Sequence, residues 1–237
     1  MAPPLPTFNI EIPSHDGQRF GAYLAKSSTK NAPVLIVIQE IFGVNAGMRT
    51  MCDAWAQQGY HAICPDLFWR QKPGIDITDK SEAEWQQAFE LFNGFDVELG
   101  MKDLISTVAV ARSLPGANRK VGSIGFCLGG KLAFLMATRS DADCNISYYG
   151  VGLMELLGEL PAIKHPLLLH FAENDKFTDA DSLQTIQTAC VKNPLIEQHL
   201  YKGIQHAFAR VDGGTRDDAA AELANERSAG FLKKCLG

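Results

Sequence analysis

The residues best equipped for chemistry lie in one short stretch, Gly125-Phe126-Cys127-Leu128-Gly129. It reads as G-x-S-x-G with cysteine in the serine position. A strand candidate precedes it (KVGSIGF, 120–126) and a helical run follows (LGGKLAFLMATR, 128–139). In a strand–turn–helix unit this pattern is a nucleophile elbow, because the glycines allow a turn tight enough to expose the central side chain. A helix starting at Leu128 points its N-terminal dipole at the sulfur and favours the thiolate. Outside such a unit a cysteine is usually a small buried hydrophobe. The same segment also fits G-x-x-x-x-G-K, the phosphate-binding loop, through Gly125, Gly130 and Lys131. Leu132 occupies the position where that loop needs a hydroxyl for Mg²⁺, so a nucleotide-binding protein is carried only as a rival.

A nucleophilic thiol needs a base, and the base needs a group to orient it. In hydrolases built around such elbows, the chain order is nucleophile, acid, histidine. Two later segments supply these types: HFAEND (170–175), with Glu173 and Asp175, and YKGIQHAFAR (201–210), with His206. His165, His170 and His199 fall before or within strands and are less well placed. Taken singly, His206 is an ordinary surface histidine and Asp175 a turn residue. The ordered set Cys127, Asp175, His206, each at a strand's carboxyl end, raises all three together. Of the two carboxylates, Asp175 is expected to serve because it lies nearer the loop.

The elements that must position these residues alternate along the chain. Strands are predicted over 33–40, 61–68, 120–126, 145–150, 165–175 and 197–203. Helices are predicted over 47–58, 81–113 with a break near Asn93-Gly94, 128–139, 154–160, 179–190 and 217–232. FNIEI and RFGAYLA suggest an N-terminal antiparallel hairpin turning at Asp16-Gly17. This alternation implies βαβ units with right-handed crossovers. The expected fold class is α/β, a mostly parallel central sheet with helices on both faces, as one domain over 1–237. Ligand chemistry in such a sheet sits at the carboxyl ends of the strands, which directs attention to Gln39-Glu40, Cys127, Asp175 and the segment after Gly203.

Composition narrows the class further. The 237 residues are 46% hydrophobic and 21% charged, with a net charge of −5 and no basic run, a poor match to nucleic-acid or anionic-membrane binding. The apolar stretch 34–38 is far short of a membrane span, and 1–9 lacks the basic and apolar regions of a signal peptide. A cytoplasmic monomer with reduced thiols is the resulting expectation. The six cysteines form no C-x-x-C and no zinc-finger spacing, so no metal site is expected.

Across nearly its full length the chain resembles the dienelactone hydrolase (carboxymethylenebutenolidase) family, α/β-hydrolases with a cysteine nucleophile. The resemblance rests on QEIFGVNAGMR (39–49), GYHAICPDLFWRQKPG (59–74), VGSIGFCLGGKLAF (121–134), YYGVGL (148–153), HFAENDKF (170–177), HAFAR (206–210) and LANER (223–227). It implies an α/β-hydrolase fold, a Cys127–His206–Asp175 triad and no cofactor. It also implies that Glu40 holds the resting thiol and takes its proton as substrate binds. The elbow motif places one oxyanion donor at the N–H of Leu128, and the resemblance places the second at Ile41.

The implied substrate is a small enol lactone bearing a carboxylate, opened to a maleylacetate-type product in catechol catabolism. Arg210 matches one carboxylate-binding arginine of the family. A second arginine and a tyrosine four residues on are replaced here by Trp85 and Phe89, which are either pocket residues or helix core. Lys80 or Lys72 could restore the missing charge. The nearest alternative activity is a broader carboxylesterase or thioesterase on a less anionic substrate. A protein that keeps the fold but only binds is a further rival.

Overall fold

A computed structural model describes residues 8–237; part of the segment read above for a leader, residues 1–7, lies outside them. Eight strands form one sheet in the order β1-β2-β4-β3-β5-β6-β7-β8. β1 (Ile10–Pro13) and β2 (Arg19–Ala25) make the expected hairpin, and β2 runs antiparallel to β4 (His61–Pro65). The other pairings, involving β3 (Ala32–Ile38), β5 (Ala117–Phe126), β6 (Cys144–Tyr148), β7 (Leu167–Asn174) and β8 (Ile196–Gln205), are parallel.

The period-two alternation of strand side chains explains the two layers of core. Leu35, Val37, Ile124 and Phe126 point to the face covered by α1 (Ala46–Gln57) and α6 (Asp218–Leu236), where Met48, Cys52, Trp55 and Leu232 meet them. Val34, Ile36 and Ile38 point to the opposite face, onto Leu104 and Val108 of α3 (Val97–Arg112) and Leu132 of α4 (Leu128–Arg139). Because β3 is covered on both sides, it reads as a continuous apolar run rather than an alternating one.

Helix boundaries follow their caps. Asn45 accepts from the Met48 N–H at the start of α1, and Ser81 accepts from the Glu84 N–H at the start of α2 (Glu82–Asn93). Asp96, Asp179 and Asp217 do the same for α3, α5 (Ala180–Cys190) and α6. Gly94 ends α2 where the break near Asn93-Gly94 is expected.

Of the boundaries that differ from the sequence reading, four are the most informative. β4 ends at Pro65 instead of 68, because the buried Asp66 carboxylate accepts the N–H groups of Phe68 and Gly74 and turns the chain. The helix expected over 154–160 is a 3₁₀ helix, Met154–Ala162, that includes Pro161. β8 runs two residues further, to Gln205, so His206 follows it directly. α6 continues to Leu236, its last turns burying Leu232 and Leu236.

Candidate active site

Cys127 stands between β5 and α4 with φ 56° and ψ −112°, a left-handed backbone that costs a non-glycine residue about 1–3 kcal/mol. Hydrogen bonds hold it there. Its N–H donates to the Tyr148 carbonyl at 3.1 Å, and its own carbonyl accepts from Lys131 and Val151. The glycines around it allow close approach of backbone rather than a wide loop. A Cβ on Gly125 would run into the Gly129 carbonyl, and one on Gly129 would run into the carbonyls of Ile38 and Gln39. The rival phosphate loop is therefore filled by the protein's own backbone, which leaves no cradle for an anion.

His206 lies at the carboxyl end of β8 and Asp175 just past the end of β7. The His206 Nδ1–H donates to Asp175 Oδ2 at 2.7 Å, with both side chains only 6% exposed. The Phe177 N–H orients the same carboxylate from its other oxygen, at 2.9 Å. Glu173, the alternative acid, instead accepts the Gly203 N–H at 2.7 Å and so ties β7 to β8. In the neutral imidazole, an Nδ1–H directed at Asp175 leaves the lone pair on Nε2. That atom is buried and has no protein partner among the described residues. The rings of Tyr149 and Phe177 pack edge-on against the imidazole, at centroid distances of 4.9 and 4.7 Å.

Glu40 follows β3 and is buried. Arg210 grips it with two hydrogen bonds, Nε to Oε2 at 2.6 Å and NH2 to Oε1 at 3.2 Å, and donates through NH1 to Asp79 at 2.8 Å. The guanidinium also lies over the rings of Phe42 and Trp85, at 4.7 and 5.9 Å. Arg210, expected as a cation open to substrate, is thus engaged by two protein carboxylates. Glu40, expected on the resting thiol, has both oxygens on Arg210.

Burial pushes the Cys127 thiol well above its ordinary range, and the negative charge of Glu40 pushes it further. Arg210 and the Leu128 N–H pull the other way without prevailing. The ligand-free sulfur is therefore a protonated thiol, despite the helix dipole that by itself favours a thiolate. Burial likewise raises the Tyr149 hydroxyl, with Glu40 adding to it. Burial is the largest single influence on the Asp79 carboxylate and works against it, but the hydrogen bonds from Arg210 and the Gly214 N–H, together with the guanidinium charge, outweigh it and hold Asp79 below its usual range.

The Leu128 N–H, first in α4, has no intrahelical acceptor and turns toward the sulfur. Ile41 is buried in the loop after β3, two residues beyond the end of that strand. A cavity of about 340 Å³ opens beside His206, lined also by Asp79, Trp85, Lys176, Phe177 and Arg210. A smaller one, about 120 Å³, adjoins Arg210 and Glu40 and is bordered by Lys80. Trp85 forms a cavity wall and donates its indole N–H to the Asp79 carbonyl. Phe89 stacks behind it at 5.5 Å, 40% exposed and off the lining. Lys72 borders a separate surface depression.

Four residues of this site escaped the sequence reading: Asp79, Tyr149, Lys176 and Phe177. Asp79 comes from a polar loop with no distinguishing pattern, while Lys176 and Phe177 close the segment HFAENDKF, in which only Glu173 and Asp175 drew attention. Tyr149 carried a signal in YYG directly after a strand, where its φ of 39° and orphaned, buried hydroxyl mark a constrained position.

No group of three or more potential metal-binding side chains converges among the described residues. No helix among them is long and apolar enough to cross a membrane. The cysteines there are unpaired, five of them buried.

A mostly parallel sheet with a strained elbow residue between its central strand and the next helix defines the α/β-hydrolase class. The sequence profile of the dienelactone hydrolase family matches residues 20–236, and the chain belongs to that family. It is 44% identical over 226 residues to the carboxymethylenebutenolidase of Pseudomonas putida, covering 95% of this chain and 96% of that protein. Carboxymethylenebutenolidase 1 of Cupriavidus pinatubonensis is 40% identical over 223 residues, covering 94% and 95%. An Azospirillum brasilense protein that carries the same name provisionally is 48% identical over 233 residues, covering 97% and 99%. Among solved structures, a dienelactone hydrolase-like promiscuous phosphotriesterase from metagenomic libraries superimposes with a TM-score of 0.79. At 16% identity, with 96% of this chain and 98% of that one covered, it speaks to the fold alone. The chain is a carboxylic ester hydrolase of this family.

Proposed function

We propose that the protein opens enol lactones of the dienelactone type, with Cys127 as nucleophile, His206 as base and Asp175 as its orienter. The observation that carries this reading is the His206–Asp175 pair, 2.7 Å apart and buried, with an unpartnered Nε2 on the far side of the ring. The names of the full-length relatives support the substrate class.

The steps follow from the site. Cys127 rests as a neutral thiol and must lose its proton for attack. Glu40 is the carboxylate whose charge acts most strongly on that sulfur, and it takes the proton. The thiolate adds to the lactone carbonyl, forming an S–C bond. The N–H groups of Leu128 and Ile41 hold the resulting oxyanion; each such donor is worth about 3–4 kcal/mol in comparable sites. Collapse breaks the ring C–O bond and releases an enolate still joined to the acyl thioester. Water, deprotonated by His206 or by the enolate itself, then adds to the thioester carbonyl and breaks the C–S bond, and the departing sulfur takes back the proton held by Glu40.

The test compares kcat/KM for cis- and trans-dienelactone with that for a neutral aryl ester, in wild type and Cys127→Ala. Lactone hydrolysis that exceeds aryl-ester hydrolysis and disappears in the variant is expected. Full activity in Cys127→Ala would falsify the nucleophile assignment. Aryl-ester turnover with little lactone turnover would move the substrate to a less anionic ester.

A further inference from the structure

Lys176 occupies an unusual position for a lysine at the edge of an active site. Its ammonium lies 5.0 Å from the ring centre of Phe177 and 5.5 Å from that of Trp85. Both rings line the cavity that His206 opens into, and Phe177 itself packs on the His206 imidazole. The carboxylates of the site are already engaged. Asp175 holds His206, while Glu40 and Asp79 both hold Arg210. Two buried carboxylates therefore share one guanidinium, an excess of acidic over basic groups on that side of the pocket. Such a cluster repels a substrate carboxylate more strongly than it would in water, because the surroundings screen it poorly. Lys176 is the one lining cation of this cavity without a carboxylate partner among the described residues.

We propose that Lys176, braced by Trp85 and Phe177, binds the carboxylate of the substrate, and that Asp79 removes Arg210 from that task by serving as its second counter-ion. The proposal rests on the lactone reading above and deepens it. In this chain the anion-recognising charge lies on the loop after β7, on the Trp85 side of the cavity. Trp85 is then a platform under the cation, a face that attracts an ammonium through its ring quadrupole. Arg210 becomes a positioning residue for Glu40.

The test uses dienelactone as the free acid and as its methyl ester, the same ring with and without the charge. In Lys176→Met the acid-to-ester ratio of kcat/KM is expected to fall at least tenfold, with the loss in KM for the acid. Lys176→Arg should restore most of the ratio. Asp79→Asn should raise it, because Arg210 regains a free edge. Binding is measured separately by titrating the acid into Cys127→Ala and Cys127→Ala/Lys176→Met proteins, where the Kd should rise at least tenfold in the double variant. A ratio and a Kd both within twofold of the parent proteins would overturn the role of Lys176. If wild type turns over neither lactone, the enol-lactone reading fails by itself, and the titration alone decides Lys176: a tenfold rise supports it and an unchanged Kd rejects it.

Discussion

Arg210 and Glu40 meet in a bidentate ion pair, 2.6 and 3.2 Å across its two contacts, with side chains only 11% and 5% exposed. The pair joins the loop after β8 to the end of β3, across 170 residues of chain. Through it, the segment carrying His206 is fixed against the loop carrying Ile41, the proposed second oxyanion donor. The Glu40 carboxylate is oriented by a group that also holds Asp79.

Removing the guanidinium should therefore damage the fold as well as the chemistry. Arg210→Met leaves two buried carboxylates unpaired, and its expected cost is about 3–5 kcal/mol. Arg210→Lys should recover only part, since an ammonium cannot reproduce the two-pronged contact. Urea denaturation midpoints of the three proteins check this. A loss under 1 kcal/mol in Arg210→Met would show that the pair is open to water.

Asp175→Asn keeps the size of the orienting side chain and the acceptor for the Phe177 N–H, but removes the charge beside His206 Nδ1. An amide that presents its NH₂ forces the proton onto Nε2, the wrong tautomer for a base. The expected loss in kcat is roughly 10³–10⁴-fold with little change in stability. Steady-state kinetics beside thermal unfolding separate the two effects. An equal loss in stability and activity would reduce Asp175 to a structural role.

A pH signature should come from Asp66, which turns the chain after β4. Burial raises its pKa to about 6, against the opposing N–H bonds from Gly74 and Phe68. Because the folded value lies above the unfolded one of about 3.9, the native state holds a proton that the unfolded chain has lost between those values. Stability from this group is thus fully present below about pH 4 and is lost as the pH rises through about 6, by about 3 kcal/mol. Asp66→Asn removes the titration and leaves one of the two N–H groups without its acceptor at every pH. The stability difference between wild type and Asp66→Asn should accordingly be largest near pH 4 and shrink toward pH 7. Chemical denaturation at pH 4, 5, 6 and 7 checks it, and a difference that stays constant across that range would rule it out.

The order of elements and the elbow follow from residue pattern alone. The run 33–38 is apolar on both faces and so reads as an inner strand, and the glycines at 125 and 129 sit where backbone must touch backbone. Asp175 and His206 were legible because a parallel sheet sends every strand's carboxyl end to one edge, which makes position along the chain a guide to position in the site. The dimensions of that edge lay beyond its reach. Whether Glu40 faces the thiol or a cation depends on where Arg210, 170 residues away, comes to rest, and the third partner, Asp79, lies in a loop without periodic signal. The same holds for Lys176. Its charge acquires meaning only because the tertiary structure sets it over Trp85 and engages the nearby carboxylates elsewhere. Local patterns dictate strands, helices and tight turns, whose energies are set within a few residues. Charge pairing across the site is a sum over groups from distant segments, and only the folded chain brings those groups within a few ångströms.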